Sequence, residues 1–345
     1  MRSDADRHTL LYKIAKAYYE DGLTQHQIGR RFSLSRVKVS RLLQEARDER
    51  VVQIAIVSSI DSNADLEREL EARFDLLEAV VVTPADYSAP VILQELGTAA
   101  ANHLMRCLQG KEIVALSWGT TLHAVIEALP AQNWPDLKVV QILGGVGDPE
   151  VEVHGNDLSR RMAQSFGAQL RFMPSPGIVG SRQVRDALIG DPQIASSLAL
   201  GQRADVALVG IGVPIPGSVV DRAGILSKDE IVELANLAAV GDIALRFFDK
   251  NGQPTQHAIN DRIVGLDIDQ MRRIPRRIGV AGGSDKHQAI GAVLRGGLVN
   301  VIVTDERSAR YLLTSSGKAP DSANGIAAQA TIGNTVRSPG ELVHG

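Results

Sequence analysis

Two hydrophobic periodicities divide this chain of 345 residues. In residues 7–21, RHTLLYKIAKAYYED, Leu10, Leu11, Ile14, Ala17 and Tyr18 recur at helical spacing, as one buried helix face requires. Gly22 predicts the end of that helix, because glycine takes a left-handed residue without steric cost. Thr24, with Gln27 three residues on, has the form of a capping box, so TQHQIGRRF predicts a second short helix. SLS predicts a turn, and Ser35 caps a third helix from about Arg36 to Arg50. Ile28, Phe32, Leu34, Val37, Val39 and Leu42 are the apolar positions expected to pin the second and third helices against the first. VVQIAIVS (51–58) is β-rich, and the polar SSIDSNAD that follows suits a linker.

From about Asp65 the pattern alternates. Helical spacing is expected over 65–74, 90–109, 120–129, 156–166, 181–202, 227–238, 284–295 and 305–314. Between these lie strand signals at 79–83, 112–118, 138–144, 168–174, 205–212, 242–249, 276–283 and 299–305. Several strands are apolar throughout, as in a parallel sheet covered on both faces. The expected class is α/β. A small helical domain over residues 1–57 precedes a large open, mostly parallel sheet over residues 58–345. The stretch from about Ala319 is rich in Gly, Ser and Pro and is expected to be flexible at its end.

Charge separates the same two parts. Residues 1–57 hold 11 Lys and Arg against 7 Asp and Glu, and the rest holds 26 against 33. A basic head on an acidic body points to a polyanion partner for the head alone. No apolar run approaches the ~20 residues of a membrane helix, and the polar start MRSDADRHTL lacks a signal-peptide core. A single cysteine, Cys107, excludes an intrachain disulfide framework and a cysteine-cluster zinc site. The eight histidines show no paired metal spacing. A cytoplasmic protein without metal or cofactor is the expectation.

TQHQIGRRFSLSRVKVSRLL (24–43) carries five basic residues and no acid. A helix–turn–helix places the start of its second helix at base edges in the DNA major groove. The base-facing candidates are Ser35, Arg36, Lys38 and Ser40. Gln25, His26, Arg30 or Arg31, and Arg41 are expected to meet phosphate. The competing explanation is a solvated basic face. Gly29, at the helix crossing, and Ser33, where glycine would best take a left-handed turn, depart from the strongest form of the motif.

LTQHQIGRRFSLSRVKVSRLLQEARDERVVQIAI resembles the N-terminal head of the SorC family of bacterial transcriptional regulators. SWGTTLHAV (117–125), VVQILGGVG (139–147), DVALVGIG (205–212), GDIALRFFDKNG (241–252) and the stretch 279–313 continue the likeness in the family's order. It implies a body similar to sugar-phosphate isomerases, usually assembled as tetramers. It also implies double-stranded operator DNA and a sugar, polyol or sugar phosphate as partners.

Open α/β sheets bind ligands at strand–loop–helix junctions. In SWGTT, Gly119 permits close backbone approach, Thr120 and Thr121 supply hydroxyls, and a helix N-terminus supplies free amides for an anion. An ordinary helix cap is the alternative. GGVG (Gly144, Gly145) and GIG (Gly210, Gly212) also close strands, as a ligand approach or as tight turns. Gly282 and Gly283 end a strand, and Lys286 opens the next helix against its macrodipole, an arrangement an anion or sugar oxygen would explain better than solvent. Asp242, between Gly241 and a strand, is a candidate to accept a hydroxyl bond from a polyol or, equally, to end the loop as a cap. The resemblance assigns phosphate or its equivalent to Thr120, Thr121 and Lys286, and sugar contact to Asp242. Phosphate-binding relatives often carry arginine where this chain has Leu143, which leaves phosphorylated and free effectors both open. The alternative function, an isomerase with a basic appendage, needs a general base. Asp205, Asp221, Glu230 and His154 are available, and none sits in a catalytic motif.

Overall fold

The computed structural model describes residues 2–52, 63–145 and 155–315. The chain divides into two compact units between Ser62 and Asn63.

The first unit contains α1 (Arg2–Tyr19), α2 (Gln25–Phe32) and α3 (Arg36–Asp48). Leu11, Ile14, Ile28, Val39, Leu43 and Ala46 make its dry centre, each 3% exposed or less. Local chemistry sets the boundaries. Thr24 accepts from the Gln27 amide, and the Gln27 side chain accepts from the Thr24 amide at 2.8 Å, closing the capping box. Ser35 caps α3 by accepting from the Lys38 amide at 3.2 Å. Ser33 takes the left-handed conformation at φ 56° and donates its amide to the Gly29 carbonyl. A Cβ on Gly29 would lie 2.7 Å from the Leu34 carbonyl oxygen, so the close turn demands the missing side chain. Val37, which its spacing assigned to the core, is 64% exposed. The 3.6-residue period turns it away from Val39, Leu42 and Leu43. Most of the expected strand 51–58 lies outside the described residues.

The second unit runs α4 (Ala64–Phe74), β1 (Glu78–Val82), α5 (Ala89–Cys107), β2 (Ile113–Leu116), α6 (Thr120–Glu127) and β3 (Lys138–Gln141). Then come α7 (Gly155–Phe166), β4 (Gln169–Arg171), α8 (Arg182–Ile189), α9 (Pro192–Gln202), β5 (Val206–Gly210), α10 (Val219–Arg222) and α11 (Lys228–Asn236). It closes with β6 (Gly241–Ile243), β7 (Arg246–Phe248), α12 (Ile268–Arg272), β8 (Arg276–Val280), α13 (His287–Arg295), β9 (Val301–Asp305) and α14 (Glu306–Ser315).

Seven strands form one parallel sheet in the order β1-β9-β8-β5-β2-β3-β4. Successive side chains point to opposite faces, and both faces are covered. Val114 and Leu116 of β2 pack with Leu104 of α5, Val125 of α6 and Phe166 of α7. Ala115 belongs to the opposite core with Leu198 of α9, Leu234 of α11 and Val293 of α13. This is why the strands read as unbroken apolar runs.

Three expectations change. DIALRFFD is not one strand of the sheet but an antiparallel hairpin of β6 and β7. The chain reverses at Ala244 and Leu245, both left-handed at φ 49° and 62°, and the Asp242 carboxylate accepts the Leu245 amide across the turn at 3.2 Å. Arg246 then holds the hairpin by donating to the carbonyls of Leu266 at 3.0 Å, Asn260 at 2.7 Å and Gly265 at 2.9 Å. Residues 181–202 form two helices. Asp191 caps the second by accepting from the Gln193 amide at 2.8 Å, and Pro192 cannot continue the first. The expected helix from 284 begins as a short 3-10 turn, Ser284–Lys286, before α13. The tail from about Ala319 lies outside the described residues.

Candidate functional site

On the first unit, Ser35, Arg36, Lys38, Ser40 and Arg41 of the α3 side, and Arg30 and Arg31 of α2, are exposed; Gln25 is half-buried. Arg31 reaches Asp21 only at 3.9 Å. Among the described residues, Arg30, Arg36, Lys38 and Arg41 make no ion pair with a carboxylate. The Ser35 hydroxyl is already engaged as the α3 cap.

The strand order of the second unit reverses beside β2. The chain moves outward from β2 through β3 to β4, then returns to place β5 on the other side of β2. The crevice at the carboxyl ends of such a pair is the standard ligand position of an open α/β sheet. Here it is a cavity of about 420 Å³, within the range of small-molecule sites. Strand ends supply most of its polar lining, and α5 (Ile92, Leu96) and α10 (Val220) supply apolar lining. The turn after β2 brings Thr120 and Thr121, the segment after β5 brings Gly212, and β6 brings Asp242. Gly282, Gly283 and Lys286 follow β8, and Asp305 ends β9. A smaller hollow of about 60 Å³ shares Thr120, Thr121, Gly212, Asp242 and Lys286, and adds Gly119 and Gly210.

The sequence candidates Gly119, Thr120, Thr121, Gly210, Gly212, Asp242, Gly282, Gly283 and Lys286 therefore meet at one place. Gly144 and Gly145 do not line it. The Gly144 amide donates to Val264 at 3.0 Å and that of Gly145 to Ser175 at 2.9 Å. A side chain on Gly144 would collide with the Pro176 carbonyl. The smallness of Gly144 serves a chain crossing, a role strand-end position alone does not distinguish from ligand approach. Leu143 is core, 2% exposed.

Asp242 is the electrostatic centre. It is 6% exposed, and its Oδ1 has no hydrogen-bond partner among the described residues. A side chain on Gly212 would occupy the place of that oxygen, so this glycine makes room for the carboxylate. Burial pushes the Asp242 carboxyl up to about 6, against the opposing effects of the Leu245 amide and the Lys286 charge. Burial also lowers the Lys286 ammonium from its ordinary value, with Asp285 and Asp242 opposing. A buried acceptor left open and a half-buried cation are costly unless something completes them. Asp305 is different. Its oxygens accept from the Gly283 amide at 2.8 Å, the Ser308 hydroxyl at 2.6 Å and the Ser308 amide at 2.9 Å. It holds the β8 loop in shape.

Sequence reasoning passed over Tyr87, Arg222, Asp305 and Arg307, which also line the cavity. The Arg307 guanidinium lies 3.6 Å from the Tyr87 ring centroid. Only Asp305, an acid closing an apolar strand, carried a local signal. The three described acids considered for catalysis serve backbone geometry instead. Asp205 accepts from the Ile113 amide at 2.8 Å, Asp221 from the Gly217 amide at 2.6 Å, and Glu230 closes the capping box of α11. His154 lies outside the described residues.

Residues 58–314 match the family model described as "Putative sugar-binding domain". The sorbitol operon regulator of Klebsiella pneumoniae is 30% identical over 312 residues, 90% of this chain and 99% of that protein. The crystal structure of that full-length regulator, SorC, superposes with a TM-score of 0.69 at 30% identity, covering 90% of this chain and 100% of SorC. The chain belongs to the SorC family. The deoxyribonucleoside regulator of Bacillus subtilis (strain 168) is 32% identical over 313 residues, 90% of this chain and 99% of its own length. As a SorC-family protein the chain is a transcriptional regulator with a sugar-binding domain, not an enzyme. Among the described residues, no helix is long and apolar enough to cross a membrane, and no group of three or more His, Cys, Asp or Glu is arranged to hold a metal ion.

Proposed function

We propose that the chain is an operator-binding regulator of sugar or polyol catabolism whose affinity for DNA is set by an effector in the cavity at the β2/β5 switch point. The observation that carries the effector assignment is Asp242, a buried carboxylate with an open oxygen, in a cavity shared with Lys286. A polyol hydroxyl donates to Asp242 Oδ1. Lys286, with the amides and hydroxyls at the start of α6, Thr120 and Thr121, takes an anionic group, as a helix N-terminus favours. Arg222 and Arg307 at the same cavity add positive charge. These cations favour a phosphate ester of a sugar or polyol over the free compound. Gly119, Gly210 and Gly283 let the ligand approach the backbone, while Gly212 and Gly282 make room for the carboxylates of Asp242 and Asp305.

On the first unit, α2 and α3 form the helix–turn–helix. Arg36, Lys38 and Ser40 face bases, while Gln25, Arg30, Arg31 and Arg41 face phosphate. The protein acts as a cytoplasmic homo-oligomer, a tetramer by family likeness, whose paired heads fit an operator of approximate two-fold symmetry. Control requires only that the effector bind the DNA-bound and free states with different affinities.

Lys286→Ala tests the reading. Calorimetry with a panel of sugars and their phosphates should show wild-type binding of a phosphate ester, weakened roughly 10- to 100-fold in the variant, the worth of a charge-assisted hydrogen bond. Operator binding without effector should be retained. Equal affinities of wild type and variant would remove the cavity assignment.

A further inference from the structure

We propose that Val37 reads the operator by packing against the C5-methyl group of a thymine. The inference rests on the operator-binding role of α3 proposed above. Val37 is the most exposed large apolar side chain among the described residues, at 64%. It is the second residue of α3, in the first turn after the Ser35 cap. With about 100° of turn per residue, the buried Val39, Leu42, Leu43 and Ala46 mark one side of the helix. Val37 and Arg41 point from the other. Val37 is thus the centre of the outward face, not a stray edge of the core.

Isolated exposed apolar groups are common and often mean nothing. The surroundings here are specific. Arg36, Lys38 and Arg41 flank Val37, with Arg30 and Arg31 on the neighbouring α2 and no carboxylate within the stretch 24–43. Such a surface fits a polyanion, yet a β-branched apolar residue gives the polyanion's phosphates nothing. Nor does it serve the helix: it has lower helical propensity than alanine and buries little surface here. The thymine methyl is the one apolar group that distinguishes the base pairs in the major groove. The start of a recognition helix is where base edges are met. Asp48 lies on the same outward line at the far end of α3, where its charge opposes close approach to phosphate. The N-terminal half of the helix is therefore the part suited to enter the groove.

Two outward polar groups are already engaged, and the outward cations Arg36, Lys38 and Arg41 suit phosphate or base acceptors and not a methyl. Ser35 accepts from the Lys38 amide. Gln44 donates to Asp48 at 2.9 Å and accepts from Arg47 at 2.6 Å.

The test uses full-length protein and duplexes it selects from a random library, at one fixed salt concentration. Each thymine of the selected site is replaced in turn by deoxyuridine, which removes only the methyl. Wild-type affinity should fall about fourfold at one position of each half-site, the ~0.8 kcal/mol of one buried methyl. Placing 5-methylcytosine with its partner guanine there should recover the methyl-dependent part relative to unmethylated cytosine. Val37→Ala should bind the thymine duplex about as weakly as wild type binds the duplex carrying deoxyuridine at that position in both half-sites, and should not distinguish the two. Circular dichroism should show its helices unchanged, because the site is exposed. Selective binding with no uracil-sensitive thymine overturns the inference and leaves the operator reading standing, as does unchanged sensitivity in Val37→Ala. Failure to select any sequence overturns the operator reading and this inference with it.

Discussion

The two proposed binding surfaces are built in opposite ways. On α2 and α3 every cap is satisfied, and the cations stand in solvent, where charge costs little. At the β2/β5 strand ends, Asp242 is buried and Lys286 half-buried, and Asp242 Oδ1 is left without a partner among the described residues. The first surface attracts its partner through a screened field. The second stores a desolvation penalty that a ligand relieves. The head should accordingly respond to salt and the body to pH.

The largest effect expected from that contrast is in salt dependence. Paired heads, each placing Arg30, Arg31 and Arg41 on phosphate, should lose operator affinity by roughly 10³ between 50 and 200 mM salt. Effector affinity measured by calorimetry over the same range should change by less than about threefold, because its contacts are partly buried. Parallel slopes would break the comparison.

Next comes Asp242→Asn, which keeps the shape and removes the charge. Effector affinity should fall on the order of 10- to 100-fold as a charge-assisted bond is lost. The unliganded body should nevertheless become more stable at pH 7, on the order of 1–3 kcal/mol by thermal or chemical unfolding. The direction follows from Asp242, whose folded carboxyl titrates at about 6 against an ordinary 3.8. The unfolded chain releases this proton first, so wild-type stability falls as pH rises from about 4 to 6, and the variant should lack that fall. A variant destabilised at neutral pH would show that Asp242 has a favourable structural role instead.

Gly29→Ala acts on the head. The added Cβ meets the Leu34 carbonyl oxygen at 2.7 Å, an overpacking expected to cost about 1–3 kcal/mol. Operator binding should fall while effector binding remains. The smallest effect belongs to Ser35→Ala. Loss of the α3 cap should cost about 1 kcal/mol of head stability, read as a lower melting temperature of the head with the body transition unchanged.

Much of this was legible in the sequence because the determinants are local. Thr24 with Gln27, Ser35, and the apolar strands with glycines or threonines at their ends each announce themselves within a few residues. The hairpin of β6 and β7 was not legible. Ala244 and Leu245 are poor left-handed residues by preference, and the turn is closed by Asp242, a side chain three positions away. The break at Asp191–Pro192 did carry a signal, a capping acid before proline, which the helical spacing on either side concealed. Val37 was misassigned because apolar identity was counted without following its angle around α3. Gly144 resembles the binding glycines because a backbone crossing and a ligand both require a small residue; Gly145 shares the strand end without that constraint. Tyr87, Arg222 and Arg307 reach the cavity from distant segments, and nothing in their immediate sequence says so.

On the proposed reading, an effector in the strand-end cavity governs the head's affinity for operator. The most direct test is operator affinity measured by fluorescence anisotropy as a sugar phosphate identified by calorimetry is titrated, in wild type and in Asp242→Asn. Wild-type affinity should shift by roughly 5- to 150-fold at saturation, the usual span of coupling between sites. The variant should bind operator equally well without effector and show no shift at the same concentrations. An equal shift in both proteins would place the controlling ligand somewhere other than this cavity.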